Sequence, residues 1–132
     1  MASILIVGAG NMGGALARGL KKKGEEVYLH DIHADRTRAL AEEIGGQFLE
    51  DLAGFSYDNA TVVIAVKPQD LAVVAGALAP HLHPSTLLIS LLAGIPIKEV
   101  AKRTEHQGSL VRAMPNIAAL VGAAAVGLAA SD

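Results

Sequence analysis

The sequence predicts an α/β domain, a doubly wound and mainly parallel sheet with helices on both faces. Two observations carry this. Apolar runs of strand length, such as Ile4-Leu5-Ile6-Val7 and Thr61 to Val66, show no polar alternation, as strands buried on both faces require. Between them lie segments of helical period long enough to serve as right-handed crossovers.

Each element has its own signal. Ile4 to Val7 is stopped by Gly8, and a helix is expected from about Met12 to Lys23, with Leu16 and Leu20 inward and Gly24 as its stop. Val27 to His30 is a second strand. Asp35 to Ile44 reads as a helix closed by Gly45-Gly46, followed by a short strand at Gln47-Phe48-Leu49. The β-branched run Thr61 to Val66 ends at Lys67-Pro68, and Gln69 to Leu82 patterns as a helix with Leu71, Val74 and Leu78 inward. Leu87 to Leu91, a helix over Ile97 to Arg103, and a strand opening at Leu110-Val111 complete the alternation. The alternation in Ala123 to Leu128 suits a final strand of little bulk.

Composition sets the bounds. A chain of 132 residues fits one domain at a prior of roughly 150 residues each. Hydrophobic residues at 52% against 18% charged exclude a disordered or acidic-tail protein, and 3% aromatics mean a largely aliphatic core. A net charge of −2 without a basic stripe argues against nucleic-acid binding. The absence of cysteine removes disulfides, thiolate metal sites and thiol catalysis, and is compatible with a reducing cytoplasm. The longest uncharged apolar run, Ile117 to Ala130, falls short of the roughly 20 residues a membrane span needs.

The chemistry is concentrated in Gly8-Ala9-Gly10-Asn11-Met12-Gly13, a G-x-G-x-x-G placed between the first strand and the first helix. Gly8 permits the tight turn, Gly10 lets backbone approach a pyrophosphate, and Gly13 lets the helix pack on the strand. The free N–H groups and the positive end of the helix dipole then face the phosphates. Gly14 stands where a Walker A loop needs lysine, so a nucleoside triphosphatase is not indicated. These features predict a Rossmann-like dinucleotide site. Asp31, at the end of the second strand, suits the ribose 2′-OH and favours NAD(H). His33, Arg36 and Arg38 are alternatively positive partners for NADP(H), or simply a solvated helix start.

The chain resembles the pyrroline-5-carboxylate reductase family in four stretches. They are Gly8 to Gly13, Ala65-Val66-Lys67-Pro68-Gln69, Ser90-Leu91-Leu92-Ala93-Gly94-Ile95 and Arg112-Ala113-Met114-Pro115-Asn116. The resemblance implies the family's N-terminal NAD(P)-binding domain over residues 1–132, and hydride reduction of 1-pyrroline-5-carboxylate to L-proline. It further implies that Ala65, Val66, Lys67, Pro68, Ala93 and Gly94 line the cofactor, with Pro115 and Asn116 near the nicotinamide. After Asn116 the family's Thr-Pro is replaced by Ile117-Ala118. The family's helical C-terminal domain, which dimerises and supplies most contacts to the imino-acid carboxylate, is not expected within these 132 residues. The cyclic substrate is therefore expected to bind only with that domain, and 132 residues alone to be inactive.

Other residues have plainer readings. Lys67 is either a phosphate or substrate partner or a strand-to-helix corner, and Arg112 is read first as structural. His81 and His83 lack a third ligand, so no metal is expected. Ser90 lacks the setting of a nucleophile elbow. Two other functions stay open: a stand-alone, non-catalytic NAD(P)-binding module, and a different dehydrogenase of the same superfamily. The apolar tail and a mean hydropathy of +0.41 predict association into a homodimer or higher oligomer.

Overall fold

The computed structural model describes residues 3–113. Strand β1 (Ser3–Val7) is the sheet's central member, paired in parallel with β2 (Glu26–His30) on one side and β4 (Thr61–Ile64) on the other. Short β3 (Gln47–Phe48) extends the sheet beyond β2, and β5 (Leu87–Ser90) and β6 (Leu110–Arg112) extend it beyond β4. The order is β3-β2-β1-β4-β5-β6, every pair parallel. Side chains alternate across a pleated strand, so an unbroken apolar run serves both layers. Ile4 and Ile6 pack against Leu16, Leu20 and Leu40 from α1 (Asn11–Lys22) and α2 (Ala34–Ile44). Leu5 and Val7 pack on the opposite face, in the cluster that holds Leu71, Leu78 and Val100 of α3 (Leu71–Leu78) and α4 (Ile97–Thr104).

The predicted helix stops hold. Gly24 and Gly45 follow α1 and α2 with φ of 84° and 75°, a left-handed backbone in which glycine carries no Cβ penalty.

Three segments differ most from expectation. Gln69 to Leu82 is not one helix: Pro68–Asp70 forms a 3-10 turn, and α3 ends at Leu78. Apolar spacing continues to Leu82, but Pro80 has no N–H to extend the ladder and its ring crowds the preceding turn. Within α3 the buried residues are Leu71, Ala75 and Leu78, while Val74 is only half-buried. Strand β4 ends at Ile64, although the Ala65 N–H still donates to the Val7 carbonyl at 2.8 Å, and Ala65 and Val66 then run close against Gly8. A 3-10 turn at Leu52–Gly54, capped by the Asp51 carboxylate on the Ala53 N–H (3.0 Å), had no sequence signal. The tail reading over Ala123 to Leu128 lies outside the described residues.

Three of the four aromatics gather beside that turn. Phe55 meets Tyr28 and Tyr57 edge-on at 5.1 and 4.9 Å, and His81 stacks on Tyr57. The Tyr57 hydroxyl donates to the Leu52 carbonyl at 2.7 Å. Burial, and secondarily the Asp51 charge, push this phenol up to about 12. A raised phenol stabilises the fold below its ordinary value of 10.0, and that contribution is lost as pH rises towards 12. Tyr57→Phe should therefore cost about 1–2 kcal/mol near neutral pH. The gap from wild type should narrow by about pH 11, as urea unfolding at the two pH values will show.

Candidate functional site

The carboxyl ends of β1, β2 and β4 surround an open cavity of about 340 Å³. It lies where the strand order reverses, with β2 on one side of β1 and β4 on the other, the place where open α/β sheets leave a crevice. Val7, Gly8, Gly10 and Asn11 form its floor, His30, Asp31, His33 and Arg36 one wall, and Ala65, Val66 and Lys67 the other.

The glycines are placed by steric need. Gly8 has φ of 105°, and a Cβ there would stand 2.7 Å from the Ala65 carbonyl carbon. A Cβ at Gly13 would collide with the Gly8 carbonyl oxygen. Gly10, the residue preceding α1, differs: nothing lies within 4 Å of where its Cβ would be. It makes no side-chain cap, so the first-turn N–H groups of α1 have no side-chain partner. Bare donors, a helix dipole and open space above Gly10 together suit an anion such as a pyrophosphate.

Asp31 is drawn into this corner, with its side chain only 9% exposed. One carboxylate oxygen accepts the Ala9 N–H at 2.6 Å and the other the His33 N–H at 3.1 Å. The Arg36 guanidinium stands 3.6 Å away. Burial pushes the Asp31 carboxyl up, but the two N–H donors and the charges of Arg36 and His33 outweigh it and hold it below its ordinary 3.8. Its stabilising contribution is complete above 3.8 and is lost as pH falls through the lower folded value.

The predicted site residues do not all converge. Ala9 closes the loop from behind, and Met12 is 38% exposed on the first turn of α1. Pro68 opens the 3-10 turn behind Lys67. Ala93 and Gly94 form an exposed turn after β5, at the same end of the sheet but away from the cavity lining. Pro115 and Asn116 lie outside the described residues. Of the three basic candidates, His33 and Arg36 line the cavity. Arg38 faces β3 instead, lying over the Phe48 ring at 4.7 Å and near Glu50. His83 accepts the Ser85 N–H at 3.0 Å, and among the described residues no three ligands gather for a metal. Ser90 is fully buried and accepts the Leu92 N–H. Sequence reasoning missed His30, Ile32, Asp70 and Val74 in the lining. Ile32 carries a usable signal, an apolar residue next to a strand-ending acid and 72% exposed.

The doubly wound sheet and its glycine-rich turn define a dinucleotide-binding domain of the Rossmann type. The chain belongs to the family described as NADP oxidoreductase, coenzyme F420-dependent, whose profile matches residues 3–94. It is 36% identical over 131 residues to the pyrroline-5-carboxylate reductase of Pseudomonas aeruginosa, across 97% of this chain and 48% of that one. The structure of a pyrroline-5-carboxylate reductase from Coxiella burnetii superposes with a TM-score of 0.74 at 27% identity, over 84% of this chain and 43% of that one. A conserved hypothetical protein from Sinorhizobium meliloti superposes at 0.75 with 26% identity, over 86% and 41% of the two chains. The chain thus spans about half the length of the curated relatives it matches. Among the described residues no helix is long and apolar enough to cross a membrane.

Two glycines of this corner, Gly13 and Gly10, separate by stability. Gly13→Ala should cost about 2 kcal/mol or more, because the colliding partner is backbone. Gly10→Val enters open space and should cost less than about 1 kcal/mol, the scale of a poorer helix cap. Urea denaturation of both variants measures the difference.

Proposed function

We propose that this chain is the cofactor-binding half of a pyrroline-5-carboxylate reductase, holding NAD(P)H for reduction of a cyclic imine to L-proline. The observation that carries it is the uncapped start of α1 beneath open space at Gly10, in a chain similar along nearly all its length to such reductases. Gly8, Ala9, Gly10, Asn11, Met12 and Gly13 form the pyrophosphate loop. Asp31 and Arg36 meet the adenosine ribose, and Ala65, Val66, Lys67 and Pro68 border the cofactor from β4. Ala93 and Gly94, with Pro115 and Asn116, serve the nicotinamide side. A bound nicotinamide would supply hydride to the imine carbon, with the imine nitrogen taking a proton from solvent. The protein's part is orientation.

Asp31 favours NAD(H), since its charge opposes a 2′-phosphate. Arg36 and His33 on the same wall support NADP(H) as the alternative. The substrate carboxylate is met by further chain, corresponding to the remainder of the relatives' length, through which two copies associate. The setting is cytoplasmic.

Three outcomes test this. Gly10→Val should lower dinucleotide affinity at least tenfold, about 1.4 kcal/mol, by calorimetry. Asp31→Ser should shift the ratio of NADPH to NADH affinity towards NADPH, and a wild-type chain that already prefers NADPH strongly would transfer the discrimination to Arg36 or His33. A polypeptide of these 132 residues should bind cofactor without reducing pyrroline-5-carboxylate, because catalysis needs the imine held roughly 3–3.5 Å from the nicotinamide. Robust proline formation by it alone would refute the division of labour.

A further inference from the structure

The strand-ending acid is engaged by the protein's own backbone. A carboxylate offers about four acceptor positions. Asp31 gives one to the Ala9 N–H and one to the His33 N–H, and a third faces Arg36. Ala9 sits between the two glycines that make the turn and is itself 6% exposed, so without Asp31 its N–H would be stranded away from water. The loop's other ties run along backbone at its ends: Gly8 N–H to the His30 carbonyl at 2.8 Å, and Gly14 N–H to the Gly10 carbonyl at 2.7 Å. The segment that must meet the pyrophosphate is held from the side by Asp31.

We propose that Asp31 is a positioning residue that sets the glycine-rich loop through the Ala9 N–H, and so supports NAD(H) and NADP(H) alike. This rests on the dinucleotide reading above, but it differs from that reading's use of Asp31. A pure discriminator at the ribose would, on removal, weaken NADH and tighten NADPH. A loop anchor weakens both. The two roles coexist in a ratio that shifts towards NADPH while absolute NADPH affinity falls.

The test pairs amide hydrogen exchange in unliganded protein with NADH and NADPH calorimetry, on wild type, Asp31→Ser, Asp31→Asn and Arg36→Ala. Asp31→Ser should exchange the Ala9 amide at least tenfold faster and bind both cofactors at least fivefold more weakly. Asp31→Asn, whose side-chain carbonyl can still accept from Ala9, should restore protection. Arg36→Ala should leave the Ala9 amide protected. Unchanged Ala9 exchange in Asp31→Ser overturns the proposal, as does NADPH binding as tight as wild type. Should Asp31→Ser fail to fold, Asp31→Asn decides: protection at Ala9 supports the anchor, and exchange as fast as in an unstructured chain overturns it. If wild type binds neither cofactor, the dinucleotide reading fails, and the exchange measurements still decide whether Asp31 holds the loop.

Discussion

The carboxyl end of the sheet depends on one close approach. At Gly8 the chain leaves β1 with φ of 105° and passes so near Ala65 and Val66 that no Cβ fits. Because the turn is that tight, α1 starts at once, and its Gly13 lies against the Gly8 carbonyl. The first-turn N–H groups are thereby brought to the space that β4 borders on the other side. A side chain at either glycine would lift the helix from the strand, and the donors would no longer converge with the β4 wall.

What the sequence revealed follows from where order comes from. Strands buried on both faces must be apolar at every position, so β1, β4 and β5 announce themselves in a few residues. The segment from Asp51 to Ala60 has no such periodicity, because tertiary bonds order it. Tyr57 reaches the Leu52 carbonyl, Thr86 reaches the Tyr57 carbonyl at 2.7 Å, and the Asn59 N–H donates to Ser85. Apolar spacing alone extends α3 to Leu82, but Pro80 stops it at Leu78. Val74 does both: it packs against the core cluster and lines the cavity. The glycine motif and Asp31 were legible because backbone geometry fixes those residue types. Asp70 was not, since its position constrains no local conformation.

The two ends of the sheet treat polar groups oppositely. At the amino end, Thr86 is 1% exposed and its hydroxyl both donates to Tyr57 and accepts the His83 N–H. Ser85 bridges Asp58 and His83, and His106 bonds the Thr86 carbonyl. A Ser, a His and an Asp meet there, yet Ser85 and Asp58 both face the same ring nitrogen of His83, unlike a triad in which the two nitrogens are divided between them, so the cluster ties loops together. At the carboxyl end the start of α1 has no side-chain cap. The uncapped first turn of α1 adjoins the cavity there, a combination that suits an anion.

Asp31 makes the electrostatics of that end specific. A carboxylate beside a phosphate site is unfavourable unless its charge is directed elsewhere, and here two backbone N–H groups and Arg36 take it up. Arg36 is 58% exposed and free of any shorter ion pair among the described residues, so it can turn towards a 2′-phosphate. Turning would strip Asp31 of its cationic neighbour while leaving both N–H bonds in place. On the proposed dinucleotide reading, selection at the 2′ position is a competition for one guanidinium between a fixed carboxylate and an incoming phosphate. The loop does not depend on the winner, because its hold on Asp31 runs through Ala9 and not through Arg36.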